Sequence, residues 1–141
     1  MNVIYIPRRK FEPINPYEGY VYIFRVSNLE SDLNSLPTKI GFCHYKSGRN
    51  GHEITDNRLA DIQRHHWEKL YKVFCSEWIN DANIAEYEIH RKYEKFRIKG
   101  EWFNLTYNQV KNIKKLLMLI EDVYNGYTPG AHKLKIHNKR K

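Results

Sequence analysis

Cysteine is nearly absent from this sequence. Cys43 and Cys75 are the only two in 141 residues. They form no C-x-x-C pair, which argues against a zinc ribbon. A disulfide between them is possible in principle but not expected in the cytosol, so two buried free thiols are the simpler reading. No apolar run approaches the roughly 20 residues of a membrane span, so no membrane partner is expected. The opening residues, MNVIYIPRRKFEP, lack the apolar stretch of a signal peptide, which leads to the expectation of a cytoplasmic protein. No internal repeat is visible. Acid is missing from the last eleven residues, AHKLKIHNKRK, which hold five Lys or Arg.

What is present fits one folded domain. The length suits a single core, and a 41% apolar share with 28% charged residues belongs to a globular chain rather than a disordered one. The net charge is +8, but outside the basic tail 19 Lys or Arg face 16 Asp or Glu, a surplus of +3. More than half of the excess therefore lies at the C-terminal end. A basic balance favours an anionic partner, most often nucleic acid. The eleven tyrosines suit base stacking and core packing equally.

Read along the chain, residues 1–18 carry Pro7, Pro13 and Pro16 and form an irregular lead-in with a short strand expected at Val3–Ile6. YVYIFRV (20–26) has the aromatic and β-branched content of a strand. SNLESDLNSLP is a polar connection, and TKIGFCHY a second strand antiparallel to the first. KSGRNGHEI (46–54), with two glycines, reads as a loop. Thr55 or Asp56 is the expected cap of a first helix over DNRLADIQRHHWEK, with Leu59, Ile62 and His66 or Trp67 facing inward. LYKVFCSEWI is a third strand. DANIAEYEIHRKYEKF is a second helix with Ala82, Ala85, Ile89, Tyr93 and Phe96 at helical spacing. Gly100 ends it and EWFNL is a short extended piece. Thr106 and Gln109 form a capping box for a third helix with the stripe Val110, Ile113, Leu117, Ile120 and Tyr124, stopped by Asn125-Gly126. The expected fold is α+β. A small antiparallel three-stranded sheet is flanked by helices in a β-β-α-β-α core, with a C-terminal helix added. The domain is expected over 19–126 and a basic tail over 127–141.

Several polar side chains border the apolar stripes. Alternation puts Tyr20, Tyr22 and Phe24 on one strand face. Helical angles put Glu86 at the margin of the second helix's buried stripe with His90 one turn later, and Arg58 at the border of the first. Lys39 stands on the neighbouring strand. A phenol, a lysine, an arginine and a carboxylate thus have the spacing to meet on one side of the sheet.

The pieces GYVYIF, TKIGF, DNRL, AEYEIH and GEWFNLT, in that order from Gly19 to Thr106, resemble the GIY-YIG endonuclease superfamily. They are most similar to its short phage and bacterial branch, first named from an open reading frame of bacteriophage T5. Each piece alone is common; five in order around a β-β-α-β-α pattern are more specific. The resemblance implies a metal-dependent endonuclease that hydrolyses DNA phosphodiester bonds in a bacterial or phage-infected cytoplasm. It implies roles for Tyr22 as general base, for Lys39-Ile40-Gly41 as the second motif, for Arg58 as phosphate ligand and for Glu86 as metal ligand. Asn104 matches a later asparagine of the family. Tyr20 shares Tyr22's strand face and stays in contention. The gap from Gly41 to Arg58 leaves Arg49 as a competitor for the arginine's role. The implied cofactor is Mg²⁺ or Mn²⁺, and the implied partner is DNA, double-stranded rather than RNA. Cleaving both strands takes two sites or two successive nicks, so a homodimer is compatible with the sequence.

Those residue types suit the chemistry. Phosphodiester hydrolysis needs an activated water, a countercharge for the transition state and help for the leaving oxygen. Glu86 supplies an oxygen ligand of the kind Mg²⁺ prefers, and Arg58 can bind phosphate bidentately. A free phenol has a pKa near 10, so only about one in 10³ is ionised at neutral pH. A nearby cation favours phenolate, and Lys39 is the sequence candidate for that task.

Each residue also has a plainer reading. Tyr22 alone is an ordinary packed aromatic, Lys39 an exposed strand residue and Glu86 a solvated helix residue. His90 reads as a structural partner at the site's rim in preference to a metal ligand. His44, His65 and His66 read as surface or core histidines, Glu101-Trp102-Phe103 as packing at the sheet's end, and Lys111, Lys114 and Lys115 as a solvated helix face. The alternatives to an enzyme are a non-catalytic nucleic-acid-binding or regulatory module on the same fold, and a protein-interaction module.

Overall fold

The computed structural model describes residues 16–30 and 34–124. The expected strand at Val3–Ile6, the Asn125-Gly126 stop and the basic tail lie outside them. Gly19–Arg25 forms β1, and every one of its residues is buried, as its run of aromatic and β-branched side chains leads one to expect. Leu36–His44 forms β2, antiparallel to β1, with Tyr22 opposite Gly41 and Phe24 opposite Lys39. Helix α1 spans Gly51–Gln63, β3 Tyr71–Cys75, α2 Ala82–Lys92, β4 Arg97–Lys99, β5 Trp102–Leu105 and α3 Tyr107–Tyr124. A 3₁₀ turn over Glu94–Phe96 follows α2.

The sheet has five strands, not the three expected. Their order is β3-β1-β2-β5-β4, and all neighbours run antiparallel. Trp102–Leu105, read as a loose extended piece, pairs with β2 from Leu36 opposite Leu105 to Lys39 opposite Trp102. Arg97–Lys99 then pairs with β5 across a turn in which Gly100 takes φ +56°, a left-handed conformation that suits glycine. Strands of three and four residues are too short to show a period of two; pairing, not pattern, makes them strands. The second helix is also shorter than expected and ends at Lys92.

The start of α1 is a further correction. The cap is Asn50, whose Oδ1 accepts a hydrogen bond from Glu53 N at 2.8 Å. Thr55 and Asp56 lie inside the helix, and Thr55 Oγ1 donates back to Gly51 O at 2.8 Å. Gly51 fits because a Cβ there would stand 2.6 Å from the Tyr20 ring. The helix stops at Gln63, so His66 and Trp67 fall beyond it, and Trp67 does not face inward. The third strand ends at Cys75, where Ser76 Oγ accepts from Val21 N at 2.9 Å in place of a ladder carbonyl. The capping box of α3 forms as read: Gln109 N donates to Thr106 Oγ1 at 3.1 Å and Thr106 N to Gln109 Oε1 at 2.8 Å.

Strand alternation divides the core into two layers. Val21, Ile23, Ile40, Phe103 and Leu105 pack against the buried stripes of α2 and α3. Tyr20, Tyr22, Phe24 and Cys43 pack on the other side with Ile54, Leu59 and Ile62 of α1. Buried Arg25 ties β1 to the strand ends, donating to Thr38 Oγ1 at 2.9 Å and Leu105 O at 2.6 Å. Among the described residues, no helix is long and apolar enough to cross a membrane.

Candidate active site

Tyr22 stacks on Phe24 with ring centroids 4.2 Å apart and is fully buried. Among the described residues only the Arg58 guanidinium stands close enough to hydrogen-bond its Oη, and not in good geometry. The phenol lies over Gly41: a Cβ at Gly41 would stand 2.3 Å from Tyr22 Oη and 2.7 Å from Glu101 Oε1. The missing side chain therefore lets a phenol and a carboxylate converge on one point. Burial, then the charge of Glu101, holds the Tyr22 phenol well above its ordinary value of 10, while Arg58 pulls it down.

Glu101 is the centre of this cluster. Its backbone O accepts from Ile40 N at 3.0 Å, which anchors it beside β2. Its carboxylate pairs with Lys39 Nζ at 3.1 Å. The cation expected to favour a Tyr22 phenolate is thus engaged with Glu101, and Arg58 is the cation that acts on the phenol. Glu86, from α2, is pushed up to about 8 by burial, then by hydrogen bonding with Glu101 and by Glu101's charge, against the pull of Lys39 and Arg58. Among the described residues, one Glu86 oxygen, Oε2, is buried with no hydrogen-bond partner. Asn83 Oδ1, one turn earlier on α2, is in the same state.

Arg58 projects from α1 beside Tyr22 and Cys43. Burial works against its charge, but Cys43, Tyr22 and Glu101 together outweigh it, so the guanidinium stays ionised. Burial pushes the Cys43 thiol up to about 11, which makes it a packing group rather than a nucleophile. From Arg58 a groove of about 210 Å³ runs past Lys46 and Asn57 to Asp61.

The structure therefore brings Tyr22, Lys39, Arg58 and Glu86 into one electrostatic neighbourhood, and adds Glu101, read from the sequence as packing. No local signal marks it: Glu101 joins the cluster because the next residue, Trp102, pairs with Lys39 across the sheet. Of the remaining candidates, His90 borders the cluster and feels the charge of Glu101, while Tyr20, Asn104 and Arg49 lie elsewhere. His90 hydrogen-bonds Ile40 O through Nε2 at 2.7 Å and tilts on Phe103, so it fastens α2 to β2. Burial lowers its pKa, and the neutral ring with its proton on Nε2 makes that bond. Tyr20 packs against the head of α1. Asn104 is exposed on β5 opposite Pro37, and Arg49 is exposed in the loop before α1.

Gly41→Ala tests the convergence directly. The Glu101 carboxylate can swing aside, but the buried Tyr22 ring cannot. The substitution is expected to destabilise the fold by about 1–3 kcal/mol, read as a lowered midpoint in thermal or urea unfolding. An unchanged midpoint means Tyr22 does not occupy that space.

The carboxylates also bear on a cation. Among the described residues, no group of three His, Cys, Asp or Glu side chains is gathered. Glu86 and Glu101 offer an all-oxygen pair that shares a proton in the cation-free protein, with one buried oxygen unsatisfied among the described residues. That donor set suits Mg²⁺ or Mn²⁺, which keep waters and take phosphate oxygens, and does not suit zinc.

Residues 19–118 match the family model of the T5orf172 domain. The chain belongs to that family. The family takes its name from a phage T5 open reading frame, and the match runs from the first residue of β1 into α3, so it contains every member of the Tyr22–Glu101 cluster. No curated protein and no solved structure matches the chain.

Proposed function

We propose that this T5orf172 domain is a metal-dependent endonuclease of the GIY-YIG type, hydrolysing DNA phosphodiester bonds. One observation carries the reading. A fully buried tyrosine points its hydroxyl at a place where an arginine and two carboxylates also converge. Gathering polar and charged side chains around one buried point costs stability, which is more readily understood at a site of chemistry than in a packing core.

In this reading Arg58 binds non-bridging phosphate oxygens and carries countercharge for the transition state. Tyr22 acts in its ionised form: having first lost its own proton to solvent, the phenolate takes the proton of the attacking water as the water oxygen bonds to phosphorus and the P–O bond to the leaving sugar oxygen breaks. Lys39 holds Glu101 in place beside Glu86. The two carboxylates would hold the divalent cation, which when bound adds charge stabilisation at the phosphate and lowers the pKa of water. Gly41 leaves the room in which these groups meet.

A second reading rests on the same tyrosine. In the cation-free protein the phenol holds its proton, as it would in a nucleic-acid-binding module without turnover. Supercoiled plasmid separates the two. Mg²⁺ is expected to produce nicked circles that EDTA abolishes. Gel retardation with no nicking in Mg²⁺ or Mn²⁺ sinks the nuclease and leaves the binding module.

A further inference from the structure

The turn after α1 presents a tryptophan to solvent. Trp67 is 90% exposed, the most exposed of the large apolar side chains described. The turn that carries it is firmly built. Gln63 Nε2 donates to His66 O at 3.2 Å and to Glu68 O at 2.8 Å, and Gln63 Oε1 accepts from Leu70 N at 2.7 Å. One side chain thus fixes the turn on both sides of Trp67. The preceding residue anchors it to the sheet: the His66 ring stacks on Trp102 at 5.2 Å and 22°. The Trp102 ring lies 5.6 Å from Lys39 Nζ, the partner of Glu101. Trp67 is therefore held out on a rigid turn at the rim of the cluster.

We propose that Trp67 is a base-stacking residue, which takes an unpaired nucleobase of the DNA whose phosphate sits at Arg58. The proposal rests on the DNA reading above and narrows it to a substrate class, duplexes with an unpaired or extruded base. Two features support it. An indole face stacks on any base, and a base exposed beside a reacting phosphate lies within reach of the site's rim. The surroundings of the ring are polar and balanced in charge: His66 and Glu68 flank it, Arg64 pairs with Asp61 at 2.5 Å, and Lys69 stands against Glu68. A protein-binding tryptophan is normally ringed by apolar residues that exclude water, whereas an isolated ring among polar groups suits a base.

The test uses the full chain in EDTA, where binding is read without cleavage. Fluorescence anisotropy follows two labelled duplexes, identical except for one bulged adenine. Wild type is expected to bind the bulged duplex about 5- to 100-fold more tightly than the paired one. Trp67→Ala should erase that preference and leave paired-duplex affinity within about twofold, and Trp67→Phe should keep most of it. Trp67 makes no buried contact, so the variants should fold normally. A wild type with no preference, or a Trp67→Ala chain that keeps it, overturns the proposal. Plasmid nicking in Mg²⁺ distinguishes the failures. A nicking wild type without bulge preference loses only this inference, while one that neither nicks nor binds DNA loses the nuclease reading as well.

Discussion

Tyr22→Phe is expected to slow Mg²⁺-dependent plasmid nicking by about 10²–10⁴-fold, the usual worth of a general base. The ring, its stack on Phe24 and its burial are all kept; only the oxygen is lost. Burying that oxygen carries a desolvation cost that offsets its contact with Arg58, so its removal should move the unfolding midpoint little. A merely structural tyrosine would show no loss of rate. The pH profile gives a second reading. The phenol is held above its ordinary value by burial and by Glu101, so the ionised form becomes scarcer as pH falls. The wild-type rate should climb on the alkaline side, by up to about tenfold per pH unit, and the Phe variant's residual rate should not share that slope.

Glu86→Gln is expected to cost at least about 10²-fold in nicking, a loss comparable to that of other preorganised charge-stabilising groups. It should also abolish the stabilisation of the fold by Mn²⁺, a readout that needs no turnover. Its effect on the cation-free protein has the opposite sign. Glu86 sits at about 8 in the folded chain against an ordinary 4.5, so the folded state binds this proton more tightly than the unfolded state. That contribution is fully present below 4.5 and is lost as pH rises through about 8. Glutamine keeps the shape and never ionises. At pH 9 the variant should therefore melt a few degrees higher than wild type, and near pH 4 the two should coincide. The gain is kept modest because Glu86 is only partly buried. A variant more stable and less active than its parent is the expected signature of a carboxylate held for function. No pH-dependent difference between the two would mean that Glu86 is solvated.

Much of this was legible in the residues. Periodicity located β1, β2, α2 and α3, and Thr106-x-x-Gln109 read correctly as a capping box, because that signal is local. What failed was non-local. Trp102–Leu105 and Arg97–Lys99 are strands only because β2 offers them an edge, which no window of sequence shows. The start of α1 was misplaced because Asn50, Thr55 and Asp56 all have capping chemistry, and the choice fell to the fit of Gly51 under Tyr20. Tyr22, Lys39, Arg58 and Glu86 were each visible as polar residues at apolar margins. Their partnership was not: that Lys39 serves Glu101 rather than the phenol depends on where the turn before β5 places one carboxylate.

The most direct test is a side-by-side nicking assay of wild type, Tyr22→Phe and Glu86→Gln, purified identically and brought to equal DNA retention. Mg²⁺-dependent nicking by wild type, with both variants reduced by at least about 10²-fold, is the predicted result. Equal nicking by all three, or DNA retention by wild type with no nicking at all, contradicts a catalytic site at Tyr22 and Glu86.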